Sequence, residues 1–172
     1  MNENAGFITK MDQLLVETRI RDLAHYALGD RSTRVARMSA VMSKLPAGWY
    51  LIGLGPHFSD IIRVGSSEIT IGRPASLLEE SCDSIIDYVV NDATLTGPRE
   101  VSRLHVSVRV DKEQEALEIR DEGSSTGTWV LPGDAPLEAD LWHMLENGHV
   151  ISLGSGQINL FVVVRVGELN TE

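Results

Sequence analysis

From Trp49 to Val166 the chain runs in short apolar stretches, many with a period of two, and most are closed by a turn signal. This pattern constrains the fold more than any other feature. Side chains alternate across a strand, whereas one face of a helix needs apolar residues three and four apart. The candidate strands are Trp49–Leu54, Asp60–Val64, Glu68–Ile71, Ser84–Val90, Leu104–Val110, Ala116–Arg120, Gly127–Leu131, His149–Leu153 and Gln157–Val166. Gly65-Ser66-Ser67, Gly123-Ser124, Pro132-Gly133-Asp134 and Glu146-Asn147-Gly148 separate them as turns. Many short strands without long helices between them imply a mainly β fold, an antiparallel sandwich or barrel. The stretch from Arg73 to Ser102 has the weakest pattern and reads as an insertion on the loop side.

Before Trp49 the period changes. Val16, Ile20, Leu23, Ala24, Ala27 and Leu28 share one face at helical spacing, and Gly29-Asp30 make a stop. Ser32 is placed to cap a second helix carrying Val35, Met38, Met42 and Leu45, which Pro46 and Gly48 end. The chain therefore divides into an N-terminal helical extension of two short helices (1–48), a β domain (49–166) and a C-terminal tail (167–172). The helical stripes either pack on each other and on the β domain or form a dimerising hairpin. The first reading is preferred, because there are too few heptads for a coiled coil.

Charge and cysteine usage narrow the function classes. The 172 residues carry a net charge of −10. It is uneven: residues 1–48 hold seven Lys/Arg against five Asp/Glu, and residues 49–172 hold eight against twenty. An acidic body argues against nucleic acid, whose binding rests on neutralising many phosphates. It leaves room for one phosphate in a local pocket, because exposed charges beyond about 8 Å are largely screened at physiological salt. Cys82 is the single cysteine, so no intrachain disulfide forms and a zinc ribbon is excluded. The longest apolar run near the C-terminus, Leu160 to Val164, is far too short to span a membrane. Met1-Asn2-Glu3-Asn4 lacks a basic start and an apolar run, so no secretory signal is expected. The expectation is a soluble cytoplasmic protein with no membrane contact.

Three segments carry the chemistry: Gly72-Arg73, Ser102-Arg103-Leu104-His105, and Asp121 through Thr128. Each lies at the edge of a candidate strand. Gly72 permits unusual backbone angles and Pro74 fixes the exit from the strand. Arg73 offers a planar fork of donors that suits phosphate, or it pairs with a carboxylate such as Glu100. Ser102 either caps a turn or donates to an anion. Arg103 either strengthens anion binding or is a solvated side chain.

With Ile71-Gly72-Arg73, Val101-Ser102-Arg103-Leu104-His105, Asp121 to Val130 and Leu145-Glu146-Asn147-Gly148-His149-Val150-Ile151-Ser152-Leu153-Gly154 in this order, the chain resembles the forkhead-associated (FHA) domain family. The resemblance covers about residues 49–166. It implies a β-sandwich module that binds phosphothreonine peptides. Arg73 and Ser102 would contact the phosphate, with Arg103, Ser125 and Thr126 completing the phosphopeptide site. A phosphothreonine brings nearly two negative charges and three acceptor oxygens, which suits such a grip. Gly72, His105 and Gly127 would support the site, His105 as a structural residue tying loops together. Two departures stand out. His149 replaces the family's usual aspartate. Thr126 replaces an asparagine whose amide bonds the peptide backbone, and a hydroxyl has a single donor and a shorter reach.

Enzyme motifs are missing from the pattern. Gly53-Leu54-Gly55-Pro56 starts like a dinucleotide loop, but no helix follows and Pro56 interrupts it. The histidines at 25, 57, 105, 143 and 149 lack metal-ligand spacing, and no nucleophile elbow is present. No catalytic residue, metal or cofactor is expected. The expected function is a phosphothreonine-dependent adaptor that recruits a phosphorylated partner in Ser/Thr kinase signalling, with a homodimer through the N-terminal helices as a further partner. The alternative is a phosphate-independent interaction or oligomer scaffold, in keeping with Thr126 and the acidic body.

Overall fold

The structure, a computed structural model, describes residues 36, 39–57, 60–74, 86–92 and 99–167. The first expected helix, the start of the second, Cys82 and the tail beyond Gly167 lie outside the described residues. Of the second helix, Ser39 to Met42 forms one helical turn, closed by the Ser43 amide on the Ser39 carbonyl at 3.0 Å.

Ten strands follow: β1 (Gly48–Gly53), β2 (Ile61–Val64), β3 (Ile69–Gly72), β4 (Tyr88–Val89), β5 (Val106–Asp111), β6 (Ala116–Asp121), β7 (Thr128–Leu131), β8 (His143–Leu145), β9 (Val150–Leu153) and β10 (Leu160–Val166). They form two five-stranded sheets, ordered β2-β1-β10-β9-β7 and β4-β3-β5-β6-β8. Nearly all pairings are antiparallel, as period two predicts. The exception is β4, which runs parallel to β3. Of the expected Ser84–Val90 strand, the described part is strand only at Tyr88–Val89. The short strand β8 was not expected. It pairs with β6 through His143 opposite Ile119 and Leu145 opposite Leu117.

The long apolar runs of β1 and β10 have a physical reason. These are adjacent central strands with both faces buried. Leu51, Phe161 and Val163 face the other sheet and join Val106, Val108, Leu117 and Ile119 between the layers. The alternate residues Tyr50, Ile52, Val162 and Val164 form a second cluster that includes Met42, with Val41 and Leu45 packed against it. Strands covered on two sides read as continuous apolar runs, while strands covered on one side alternate. Each fully buried aliphatic side chain contributes about 1.5–3 kcal/mol, so these two clusters supply most of the driving force for folding.

The links β1–β2, β3–β4, β4–β5, β6–β7 and β9–β10 are tied to one another at one end of the sandwich, and the candidate site is built from them. No helix among the described residues is long and apolar enough to cross a membrane.

Candidate functional site

The end of β3 is fixed from both sides. The Gly72 carbonyl accepts the Val90 amide at 2.7 Å, and the Ile71 carbonyl accepts the His105 amide at 3.0 Å. The next amide, that of Arg73, donates to the Ser102 carbonyl at 3.0 Å. A Cβ on Gly72 would lie 1.9 Å from the Arg103 carbonyl oxygen. Glycine is needed here because two backbones meet, and its φ is not the reason. This close approach sets Arg73 beside Ser102 and Arg103, although the two segments are about thirty residues apart.

The Arg73 side chain is half-buried, and its guanidinium donates to the Pro74 carbonyl at 3.2 Å. Among the described residues it pairs with no carboxylate. The pairing with Glu100 left open by the sequence is not formed. The Glu100 carboxylate turns instead to the β9–β10 link, where Oε1 accepts the Gly156 amide at 2.9 Å. Gly154 and Gly156 leave the notch it fills, since a Cβ on Gly156 would lie 2.4 Å from Oε1. The other oxygen, Oε2, is buried without a hydrogen-bond partner among the described residues. Burial, and secondarily the charge of Asp92, push the Glu100 carboxyl up, against the pull of the Gly156 amide.

Ser102 is the junction of the site. Its amide donates to His105 Nδ1 at 2.9 Å, and its Oγ accepts the Ser125 amide at 3.0 Å. With Nδ1 accepting, the His105 hydrogen sits on Nε2 and points to the Gly127 carbonyl at 3.3 Å. His105 is wholly buried, and burial holds its imidazole below the ordinary range despite Asp121 and the Gly127 carbonyl. The ring thus joins the Ser102 segment to the β6–β7 turn. Because the Ser102 oxygen accepts from Ser125, its hydroxyl hydrogen remains for an outside acceptor. Arg103 and Ser125 are exposed beside it.

The β6–β7 turn is shaped by Asp121, a residue that received no role of its own from the sequence. Its carboxylate accepts the Ser124 amide and hydroxyl, both at 2.7 Å, and the Thr128 hydroxyl. Burial alone would raise this carboxyl, but the Thr128 and Ser124 hydrogen bonds outweigh it and hold it low. Gly127 has φ +77°, a conformation that disfavours any side chain. The Thr126 hydroxyl donates inward to the Glu100 carbonyl at 2.6 Å. Its one hydrogen is therefore spent within the fold, and toward a ligand it has only a lone pair to offer.

The structure thus brings Gly72, Arg73, Ser102, Arg103, His105, Ser125, Thr126 and Gly127 to one end of the sandwich. Sequence reasoning gave no part to Glu100 as a wedge, nor to Asp92 and Asn159 behind it. The signal for Asp121 was present: an acid three residues before a serine, in a glycine turn, is a common side-chain-to-backbone motif. Among the described residues, no group of three or more His, Cys, Asp or Glu side chains is arranged to hold a metal.

This geometry agrees with the comparisons. A model of the FHA domain matches residues 69–154, half of the chain. The chain belongs to the FHA domain family, whose members are modules that bind phosphothreonine. Among solved structures it is similar to the FHA domain of an Arabidopsis thaliana hypothetical protein, with 22% identity and a TM-score of 0.53, over 74% of this chain and 92% of that one. It is also similar to the yeast Pml1 splicing factor, with 13% identity and a TM-score of 0.52, over 77% of this chain and 91% of that one. At these identities the likeness concerns the fold. No curated protein matches the sequence.

Proposed function

We propose that this chain is a phosphothreonine-peptide-binding adaptor of Ser/Thr kinase signalling in the cytoplasm, a binding module and not an enzyme. The observation that carries this reading is the Arg73–Ser102–Ser125 arrangement. Among the described residues the Arg73 guanidinium has no carboxylate partner, the Arg73 backbone is bonded to that of Ser102, and Ser102 Oγ accepts the Ser125 amide, so three loops meet here. In this reading Arg73 takes two phosphate oxygens through its fork. Ser102 donates its hydroxyl, Ser125 adds a second hydroxyl, and Arg103 contributes charge at the rim. His105, Gly72 and Gly127 hold the frame.

The test is affinity for phosphothreonine peptides against unphosphorylated copies, measured by calorimetry or fluorescence anisotropy. The reading expects a clear phosphate preference that Arg73→Ala removes. Equal binding of both peptide forms sinks it.

One observation favours a second reading, a phosphate-independent interaction scaffold. The Thr126 hydroxyl points into the fold, so the peptide-backbone clamp of the family has no donor here. Light scattering and partner binding without phosphate separate the two. A strict monomer at micromolar concentration with no phosphate-independent partner counts against the scaffold.

A further inference from the structure

Behind the Ser102 segment runs a chain of polar side chains that joins three loops. Asp92 Oδ2 accepts the Val101 amide at 2.8 Å. Asp92 Oδ1 accepts from the Asn159 side-chain amide at 3.2 Å. That donation fixes the orientation of Asn159, so its oxygen is the atom facing His57 Nε2 at 2.8 Å. The other ring nitrogen of His57 faces Asp60 Oδ2 at 3.1 Å. The His57 ring lies flat on Phe161, with centroids 5.4 Å apart. Asn159 is wholly buried and His57 nearly so.

We propose that Asp92, Asn159 and His57 are positioning residues for the anion grip: they set the placement of Ser102 through the Val101 amide. The inference rests on the proposed phosphate-binding role. The backbone around Ser102 has no strand ladder to hold it, because β5 begins only at Val106. Its polar groups go instead to two other loops and to side chains at the two ends of its own link. The Glu100 carbonyl goes to Thr126, the Val101 amide to Asp92, the Ser102 amide to His105 and the Ser102 carbonyl to Arg73. Removing Asp92 from this set frees the peptide immediately before Ser102. Apolar side chains would fill the space without the cost of burying polar groups. What the polar chain adds is direction, since a donor and an acceptor define an angle as well as a distance. A hydroxyl aimed at phosphate needs that definition, because pre-organised first contacts depend on the residues behind them.

The test is an exchange of polarity between two neighbours. In Asp92→Asn two side-chain amides face each other, or the Val101 acceptor is lost. In Asn159→Asp two carboxylates face each other. The double exchange Asp92→Asn/Asn159→Asp restores one donor facing one acceptor. Two quantities are read in full-length protein: affinity for a phosphothreonine peptide, and hydrogen exchange of the Val101 amide in the free protein. Each single exchange is expected to weaken binding about tenfold and to speed Val101 exchange by a similar factor. The double exchange is expected to recover both to within about threefold, as a coupled pair requires. Unchanged affinity and exchange in the single variants overturn the proposal, and so does a double variant that recovers neither. If a single variant unfolds, regained folding and affinity in the double variant show the same coupling, and a double variant that also unfolds overturns it. If wild type binds no phosphopeptide, the functional reading fails by itself, and Val101 exchange still decides whether these residues position the segment.

Discussion

The Ser125 amide donates to Ser102 Oγ at 3.0 Å, bridging two loops 23 residues apart in sequence. This bond uses a lone pair of the serine and spares its proton. In the proposed reading that proton is the one Ser102 donates to phosphate. Ser102→Ala removes both the tether and the donor. Hydrogen bonds to charged groups contribute about 1.5–3 kcal/mol, so phosphopeptide affinity should fall about tenfold or more. Thermal melting should move only slightly, because the His105 and Arg73 contacts to this segment use its backbone. Anisotropy titration and melting of the same sample check both halves.

Arg73 distinguishes charge from geometry. Arg73→Ala should abolish measurable phosphate preference. Arg73→Lys keeps the charge but not the two-pronged fork, and its affinity should fall between wild type and alanine. Equal binding by Arg73→Lys and wild type would show that the planar fork is not used.

Gly72→Ala tests the meeting of two backbones. The added carbon would lie 1.9 Å from the Arg103 carbonyl oxygen, so β3 and the Ser102 segment must part. The expected cost is about 3 kcal/mol, at the upper end for overpacking, together with loss of peptide binding. Chemical denaturation gives the first quantity directly.

His105 and Asp121 make stability depend on acid in the same direction. The folded His105 imidazole titrates below its ordinary 6.5 because of burial. Its contribution is therefore complete above 6.5 and is lost as pH falls, when the unfolded chain takes a proton that the folded ring refuses. Asp121, held below its ordinary 3.8 by hydroxyl and amide donors against the effect of burial, adds a further loss once pH falls through that value. Stability should decline from about pH 6.5 downward, by at most about 1.4 kcal/mol per pH unit for one proton. Melting curves between pH 7.5 and 5 check this, and His105→Gln should flatten the decline in that window.

Glu100 has the opposite sign. Burial raises its carboxyl, so the folded state bears a cost while the group is ionised, and that cost fades as pH falls toward the ordinary 4.5. Glu100→Gln keeps an oxygen for the Gly156 amide and removes the charge. It should equal or exceed wild-type stability at pH 7 and lose that advantage near pH 4.5. Paired denaturation curves at the two values decide it.

The sheets were legible because alternation and glycine turns are local signals. β1, β5, β6 and β10 lie within a residue or three of the stretches that period two marks. β8 escaped because three residues, His143-Met144-Leu145, are too few to show a period, and its place is set by β6. The parallel pairing of β4 was hidden for the same reason. The loop motifs carrying Arg73, Ser102 and Ser125 were readable as short segments in a fixed order. The polar residues behind them were not, since Asp92 and Asn159 meet across 67 positions and neither belongs to a local pattern. Long-range polar pairs leave no periodic trace.

The sheet holding β1 and β10 is greasy on both sides, and Met42 lies within its outer cluster. A fragment cut at Gly48 would therefore bare a wall of valines and leucines to solvent. Such a surface invites self-association. Measurements of valency on this protein belong to chains that keep the residues before β1.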